Sequence, residues 1–230
     1  MDKKIADKLV CKVTDDYNKM ADEWSRKRWH LPSDIIALES YAKAGDRILD
    51  LGCGSGYLFE LFDSPDYKYT GLDVSAGQIE NCKAKYPSAN FRLSKPDSLD
   101  FADSNFDIVY CLSTIHHVPS EEKRKEFLKE IKRVLAPDGI LILTAWDIAS
   151  HRPNKLSEGG EFAGKVDQND LFVPFNLGGI DQSVGRYIHA FEIDEIRRLV
   201  KESGFEIIKT EKVDRGIGRH KNILVVARNK

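Results

Sequence analysis

From Arg47 to the end of the chain, short apolar runs alternate with stretches whose apolar positions recur every three or four residues. The runs RILDL, YKYTGLD, NFRLS, FDIVYCL and GILILTAW, and later FEIIKTEKV and NILVVARN, are rich in β-branched and aromatic residues and predict strands. Between them SGYLFELF, SAGQIENCKAKY and SEEKRKEFLKEIKRVL carry helical spacing. The second is read as starting at Ser75, and the third as opening with Ser120 as its cap, because a serine hydroxyl accepts one of the orphan N–H groups of a first turn. In the last of these helices Lys123, Lys129 and Glu130 fall on the side read as facing water, and Pro137-Asp138-Gly139 is read as its stop. Strands and helices in alternation require a parallel sheet covered on both faces. The short segment DRGIGRHK between the final two strands suits a hairpin, which makes that end of the sheet antiparallel.

Two segments stand outside the alternation. Residues 1–44 read as helices, with Tyr17, Met20, Ala21 and Trp24 near one face. Residues 147–190 are rich in Gly, Asn, Asp and Ser and form a long connection, of the kind that usually carries function. The expected fold is α/β: a Rossmann-like, seven-stranded, mostly parallel sheet with an antiparallel last strand, helices on both faces and an N-terminal helical cover. Within a single domain over 1–230, residues 1–44 are the cover, 45–146 the core, 147–190 a substrate-side insertion and 191–230 a closing helix and strand pair.

Composition narrows the class. With 230 residues, 41% of them hydrophobic and 31% charged, the chain can bury a full core. No apolar run approaches the ~18 to 20 residues of a membrane span, and the start MDKKIADKLVCKV lacks the apolar core of a signal peptide. The expectation is a cytoplasmic protein with no membrane segment. Cys11, Cys53, Cys82 and Cys111 lie far apart with no CxxC or Cys/His cluster, which predicts free thiols and no metal. A net charge of -2 gives no global attraction to nucleic acid, so any such contact must come from local patches.

The chemistry concentrates in RILDLGCGSGYLFELF. Gly52, Gly54 and Gly56 form GxGxG, and Tyr57 stands where a dinucleotide-binding loop has its third glycine. Asp50 precedes the first glycine by two residues, and Asp73 ends the next strand. With NFDIVYCLSTIHH further on, this order resembles the motifs of class I S-adenosylmethionine-dependent methyltransferases. That cofactor carries no phosphate. Glycines then serve to let its methionine part and ribose lie against bare backbone, and the two oxygens of Asp73 suit two ribose hydroxyls. The resemblance further implies cofactor contacts from Asp50, Gly52, Gly54, Gly56 and Tyr17, and from Asp97 and Ser98 beside the adenine. Asp73 as a plain cap of the following helix remains a competing reading, and so does either of His116 and His117 as a packed core histidine.

The flanks bear on the methyl acceptor. YNKMADEWSRKR, residues 17–28, resembles the pattern Tyr-x-x-x-Ala-x-x-Phe-Ser-x-x-Arg of the tRNA wobble-uridine carboxymethyl methyltransferases. TAWD with Trp146, DLFVPF over 170–175 and RYIHAF over 186–191 resemble further stretches of that family. Lys27 replaces a threonine of the pattern, Leu31-Pro32 a Trp-Pro, and Ile188 an aromatic residue. The resemblance implies esterification of 5-carboxymethyluridine in the tRNA anticodon. For that chemistry Arg28 and Arg186 are the candidates to grip carboxylate or a neighbouring phosphate, because guanidinium forks match those groups bidentately, and Tyr187 and His189 are the candidates to shape the uridine pocket. The resemblance also implies, in eukaryotes, a small zinc-binding activator subunit as partner. A carboxylate is ionised at neutral pH, its pKa being ~4, so transfer to its oxygen needs no general base. RNA contact would use RKRWH over 26–30 and DRGIGRHK over 214–221, both of which also fit solvated faces. Three alternatives stay open. RYIHAF is also readable as a core strand with Arg186 in a surface ion pair, the enzyme as a methyltransferase of small acids, phenols or amines, and the chain as a non-catalytic cofactor-binding subunit.

Overall fold

A computed structural model of the chain describes all residues except 28–30, 96–97, 149, 151–155, 178–182 and 215–220. The main sheet has seven strands: β1 (Arg47–Leu51), β2 (Lys68–Asp73), β3 (Asn90–Leu93), β4 (Phe106–Leu112), β5 (Leu135–Trp146), β8 (Phe205–Asp214) and β9 (Lys221–Asn229). Their spatial order is β3-β2-β1-β4-β5-β9-β8. The first five are mutually parallel, and β9 runs antiparallel to both β5 and β8. The chain leaves β1 toward β2 and β3 and then returns to β4 on the other side. A crevice opens where the order reverses, at the carboxyl ends of β1 and β4, and ligands of open α/β sheets bind in such a crevice.

Period-two alternation divides the core between the two faces. Leu49, Leu51, Val109, Cys111, Leu141 and Leu143 pack with Leu128 and Ile131 of α4 (Glu121–Val134) and with Leu199 and Val200 of α5 (Ile193–Glu202). Ile48, Ile108, Tyr110 and Ile142 face the other way, onto Leu38, Phe59, Phe62 and Ile79, the last from α3 (Ala76–Lys85). Each fully buried aliphatic side chain contributes roughly 1.5 to 3 kcal/mol, so the central strands anchor the crevice firmly.

The 25-residue helix α1 (Lys3–Lys27) lies across the carboxyl ends as a cover, followed by the short α2 (Ser33–Ile36). It meets α3 closely, because Gly77 has no side chain: a Cβ there would stand 2.9 Å from that of Ala21. Asn18 Oδ1 fastens the contact by accepting from the Ser75 hydroxyl and the Gly77 N–H.

Four details differ from the sequence pattern. SGYLFELF forms only a 3-10 turn over Tyr57–Leu61, entered through Gly56 in the left-handed region. Helix α4 ends at Val134 and β5 starts at once at Leu135, so Pro137-Asp138-Gly139 sits inside the strand, with Asp138 at φ 62. Lys123 and Glu130 are half-buried rather than facing water: Lys123 pairs with Asp7 of α1 at 2.7 Å, and Glu130 accepts from the Leu99 N–H. The long connection holds an antiparallel pair of its own, β6 (Asp170–Asn176) with β7 (Ser183–His189). Alternation explains it: Leu171, Val173 and Ile188 bury against Ile148, while Phe172 and Tyr187 bury against Leu9 of α1 and Phe162.

Candidate active site

The loop after β1 is built backbone first. Gly52 N and Cys53 N both donate to the Leu72 carbonyl, at 2.7 and 2.8 Å, which ties the loop to the end of β2. Gly52 has φ 80, and a Cβ there would meet Thr114 Oγ1 at 2.1 Å, so both conformation and space require glycine. Asp73 closes the other side. Its Oδ2 accepts from Gly54 N and its Oδ1 from Ser75 N, each at 2.9 Å. Burial pushes its carboxyl pKa up, while these N–H bonds pull the other way. Each oxygen keeps further lone-pair capacity for two vicinal hydroxyls.

Asp73 lines a pocket bounded below by Gly52–Gly54 and laterally by Val74, Ser98, Leu99, Leu112 and Glu130. Tyr17 and Trp24 of α1 cover it, and His117 stands beside them. Bare backbone, a two-oxygen acceptor at the end of β2 and an apolar wall beside Ser98 could hold S-adenosylmethionine: the glycine backbone would take its methionine part, Asp73 its ribose hydroxyls and Leu99 its adenine. Asp97 lies outside the described residues. Glu130 is a lining residue that sequence reasoning missed, since the charge of α4 marked its face as solvent side.

Two cofactor candidates lie elsewhere. Asp50 is buried behind the loop, on the side of the sheet that carries Ile48, and accepts from the Tyr69 hydroxyl at 2.7 Å. Burial moves its pKa up to about 7, with the Asp73 charge adding to the rise and the Tyr69 bond opposing it. Gly56 also does not line the pocket: a Cβ there would run into Phe91 at 2.9 Å and Cys82 at 3.0 Å, so its smallness serves packing.

The cover is held by a directed chain of hydrogen bonds. The Tyr17 hydroxyl lies 2.7 Å from His117 Nε2, and His117 Nδ1 lies 2.8 Å from the Tyr187 carbonyl oxygen. Tyr17 meets Trp24 and His117 edge-on, with ring centroids 5.5 and 5.1 Å apart. Burial lowers the His117 pKa to about 3, and Arg186 adds to the shift. His116 packs on Trp146 instead, at 5.0 Å between rings, and is not among the residues lining the pocket.

Arg186 occupies an aromatic box. Its guanidinium lies 5.6 Å from the ring centre of Trp24, 5.1 Å from Trp146 and 5.2 Å from Phe175. The residue is only 6% exposed, and no carboxylate pairs with it among the described residues. Arg186 Nε and Trp146 Nε1 are both buried donors with no hydrogen-bond partner among the described residues. A buried, unpaired guanidinium is costly, and flanking π faces offset part of that cost. The surface ion pair open to Arg186 on sequence grounds is thus not what forms. Trp24 belongs to both the box and the cofactor pocket, so the two are separated by one ring.

The side chains of Tyr187 and His189 do not line this pocket. His189 is buried behind β7, with Nδ1 at 2.7 Å from Asp170 and Nε2 at 2.9 Å from Glu195, and Tyr187 gives its hydroxyl to Asp170 at 2.8 Å. Both ring nitrogens of His189 are therefore committed to holding the β6–β7 pair. Arg28, Trp29, His30, Arg215, Arg219 and His220 lie outside the described residues. Lys27 pairs with Glu23 at 3.0 Å and donates to the Asn176 carbonyl at 3.1 Å, joining α1 to β6.

A family profile described as "Methyltransferase domain" matches residues 49–143. Across 204 residues the chain is 26% identical to a methyltransferase of Encephalitozoon cuniculi, covering 88% of this chain and 89% of that protein. It is 33% identical over 172 residues to an O-methyltransferase of Aspergillus nomiae, 72% of this chain and 66% of that one. The tRNA (carboxymethyluridine(34)-5-O)-methyltransferase of Saccharomyces cerevisiae is 25% identical over 166 residues, 70% of this chain and 55% of that protein. Several curated relatives are thus matched over only about half of their length. Among solved structures, an S-adenosylmethionine-dependent methyltransferase of Methanosarcina mazei superposes with TM-score 0.68 at 23% identity, over 84% of this chain and 96% of that one. A Haloferax volcanii methyltransferase in complex with the Trm112 methyltransferase activator superposes with TM-score 0.64 at 18% identity, over 94% and 97%.

Proposed function

We propose that this chain, a class I S-adenosylmethionine-dependent methyltransferase, esterifies a carboxylate, and that its acceptor is 5-carboxymethyluridine at the tRNA wobble position. The observation that carries the reading is Arg186: a buried cation with no counterion among the described residues, one ring away from the pocket that Asp73 lines, invites an anion. A guanidinium fork matches a carboxylate through two N–H groups. Relatives with the carboxymethyluridine activity in Saccharomyces cerevisiae and Arabidopsis thaliana support the finer assignment.

When bound, S-adenosylmethionine supplies an electrophilic methyl group on a sulfonium. The residues of the chain then have to orient the acceptor, exclude water and leave its oxygen nucleophilic. Trp24, Trp146 and Phe175 keep water from the Arg186 charge and so strengthen its hold on a carboxylate. Arg186 would hold the oxygen that does not react, since a tight grip on the reacting one blunts it. Placement of this kind can supply about 7 to 11 kcal/mol. His117, at a pKa of about 3, is no base at neutral pH; an acceptor that arrives ionised needs none.

A second reading, methylation of a small-molecule oxygen, is favoured by the Aspergillus O-methyltransferase relatives. An activator subunit of the kind in the Haloferax complex belongs to the first reading. Arg186→Met tests the choice. The tRNA reading expects turnover on tRNA bearing carboxymethyluridine to fall at least about tenfold, the loss of a charged hydrogen bond, with tRNA affinity little changed. Unchanged turnover would remove Arg186 from the acceptor site.

A further inference from the structure

Helix α4 reaches the pocket with Phe127 and Glu130, which share a face at helical spacing, and Leu99 completes that stretch of wall. Glu130 is held from behind by Arg133, whose five N–H groups are all engaged. Nε and Nη2 donate to the two carboxylate oxygens of Glu130, each at 2.9 Å. Nη2 also donates to the Leu99 carbonyl at 2.8 Å, and Nη1 donates to the Phe101 carbonyl at 2.7 Å and to Asp103 at 2.9 Å. Glu130 passes the hold on, since its Oε2 accepts from the Leu99 N–H at 3.1 Å. The Leu99 carbonyl takes a second bond, from the Phe101 N–H at 2.8 Å. The main-chain donor of Leu99 and both lone pairs of its carbonyl are thus taken, and a ligand meets only its buried side chain.

We propose that Arg133, which is not itself among the residues lining the pocket, is a positioning residue for the purine of the cofactor: through Glu130 and the Leu99 main chain it fixes the apolar wall on which the base lies. An ion pair as exposed as Arg133–Glu130 adds little by charge alone. Its effect is geometric, because a planar fork with five donors reaches Glu130, Leu99, Phe101 and Asp103 at once, and an ammonium does not. The side chains of Leu99 and Phe127 have no hydrogen-bonding group to offer. Their wall therefore selects by flatness and size, and a flat ring system gains from it in proportion to the apolar area covered. Reading of the polar edge of the base falls to groups other than the Leu99 backbone. This inference rests on S-adenosylmethionine as the cofactor and is independent of the methyl acceptor.

Two ligands that share the homocysteine and ribose parts test it on the full chain with no acceptor present: S-adenosylhomocysteine, which carries the base, and S-ribosylhomocysteine, which has none. Calorimetry reads the first, and ligand-observed NMR the second, so that millimolar binding registers. Arg133→Lys keeps the positive charge and loses the fork. Affinity for S-adenosylhomocysteine should fall about tenfold, and affinity for S-ribosylhomocysteine by less than about twofold, the scale of one charge-assisted hydrogen bond lost behind the base alone. Glu130→Gln leaves the Arg133 bonds to Leu99 and Phe101 within reach, and it decides the matter if Arg133→Lys does not fold. It should lower the first affinity about threefold and leave the second unchanged. A fall of both affinities by the same factor means that the pair supports the fold and nothing more, and overturns the proposal, as does no change in either. Since no acceptor is present, that failure is distinct from failure of the carboxymethyluridine reading.

Discussion

Asp73 carries the most legible chemistry in the chain and the simplest test. Its two oxygens already hold the Gly54 and Ser75 N–H groups, so it both shapes the loop and lines the pocket. Asp73→Ala should weaken cofactor binding by about 1.5 to 3 kcal/mol, the range for hydrogen bonds to a charged group, while far-ultraviolet circular dichroism shows a folded sheet. Unchanged calorimetric affinity would remove the residue from the site. Asp73 was readable because its place, at the end of the strand after the glycine loop, is set by the order of elements. Asp50 was not: whether a strand residue faces the pocket is decided by its parity and by what packs beneath, here Tyr69, and spacing along the chain does not carry that information. Arg186 needed the structure as well. Its box draws Trp24, Trp146 and Phe175 from three separate elements, and no local pattern announces that such rings converge.

At the scale of elements, the sheet was legible because buried parallel strands write continuous apolar runs, whereas the β6–β7 pair hid within a polar connection. What fastens that pair gives it a pH dependence. Burial disfavours a charge on His189, and Arg124 adds to this, yet the bonds to Asp170 and Glu195 prevail and raise its pKa above 6.5. A group whose pKa is raised on folding contributes fully below its unfolded value and loses that contribution as pH rises through the folded value. The hairpin should therefore be best held at mildly acidic pH and loosen as the medium becomes alkaline. Amide exchange in residues 170–176 and 183–189 should speed up above the folded pKa by more than the intrinsic chemical rate, and His189→Gln should flatten that excess. An excess identical in the two proteins would show that His189 stays neutral.

Over the whole molecule, the crevice at the switch point is roofed by α1, and Trp24 both lines it and packs against Arg186 of β7, so the proposed cofactor and acceptor sites would meet at that ring. The net charge of -2 offers tRNA no general attraction, and binding must come from local cations. If Lys27, Arg28, Arg215, Arg219 and Lys221 meet phosphates, tRNA affinity should fall steeply with salt, each neutralised phosphate adding a slope of roughly -0.9 or less in log–log form. Arg219→Ala with Lys221→Ala should flatten that slope and leave cofactor affinity alone; an unaltered slope would move the RNA surface elsewhere. The most direct test of the central claim is nucleoside mass spectrometry of tRNA bearing 5-carboxymethyluridine, incubated with the chain and labelled S-adenosylmethionine, with and without a Trm112-type activator. The account predicts a labelled methyl ester on the wobble uridine that mild alkali removes and that Arg186→Met fails to form. Transfer of label to small acids, phenols or amines, with none to the tRNA, would contradict it.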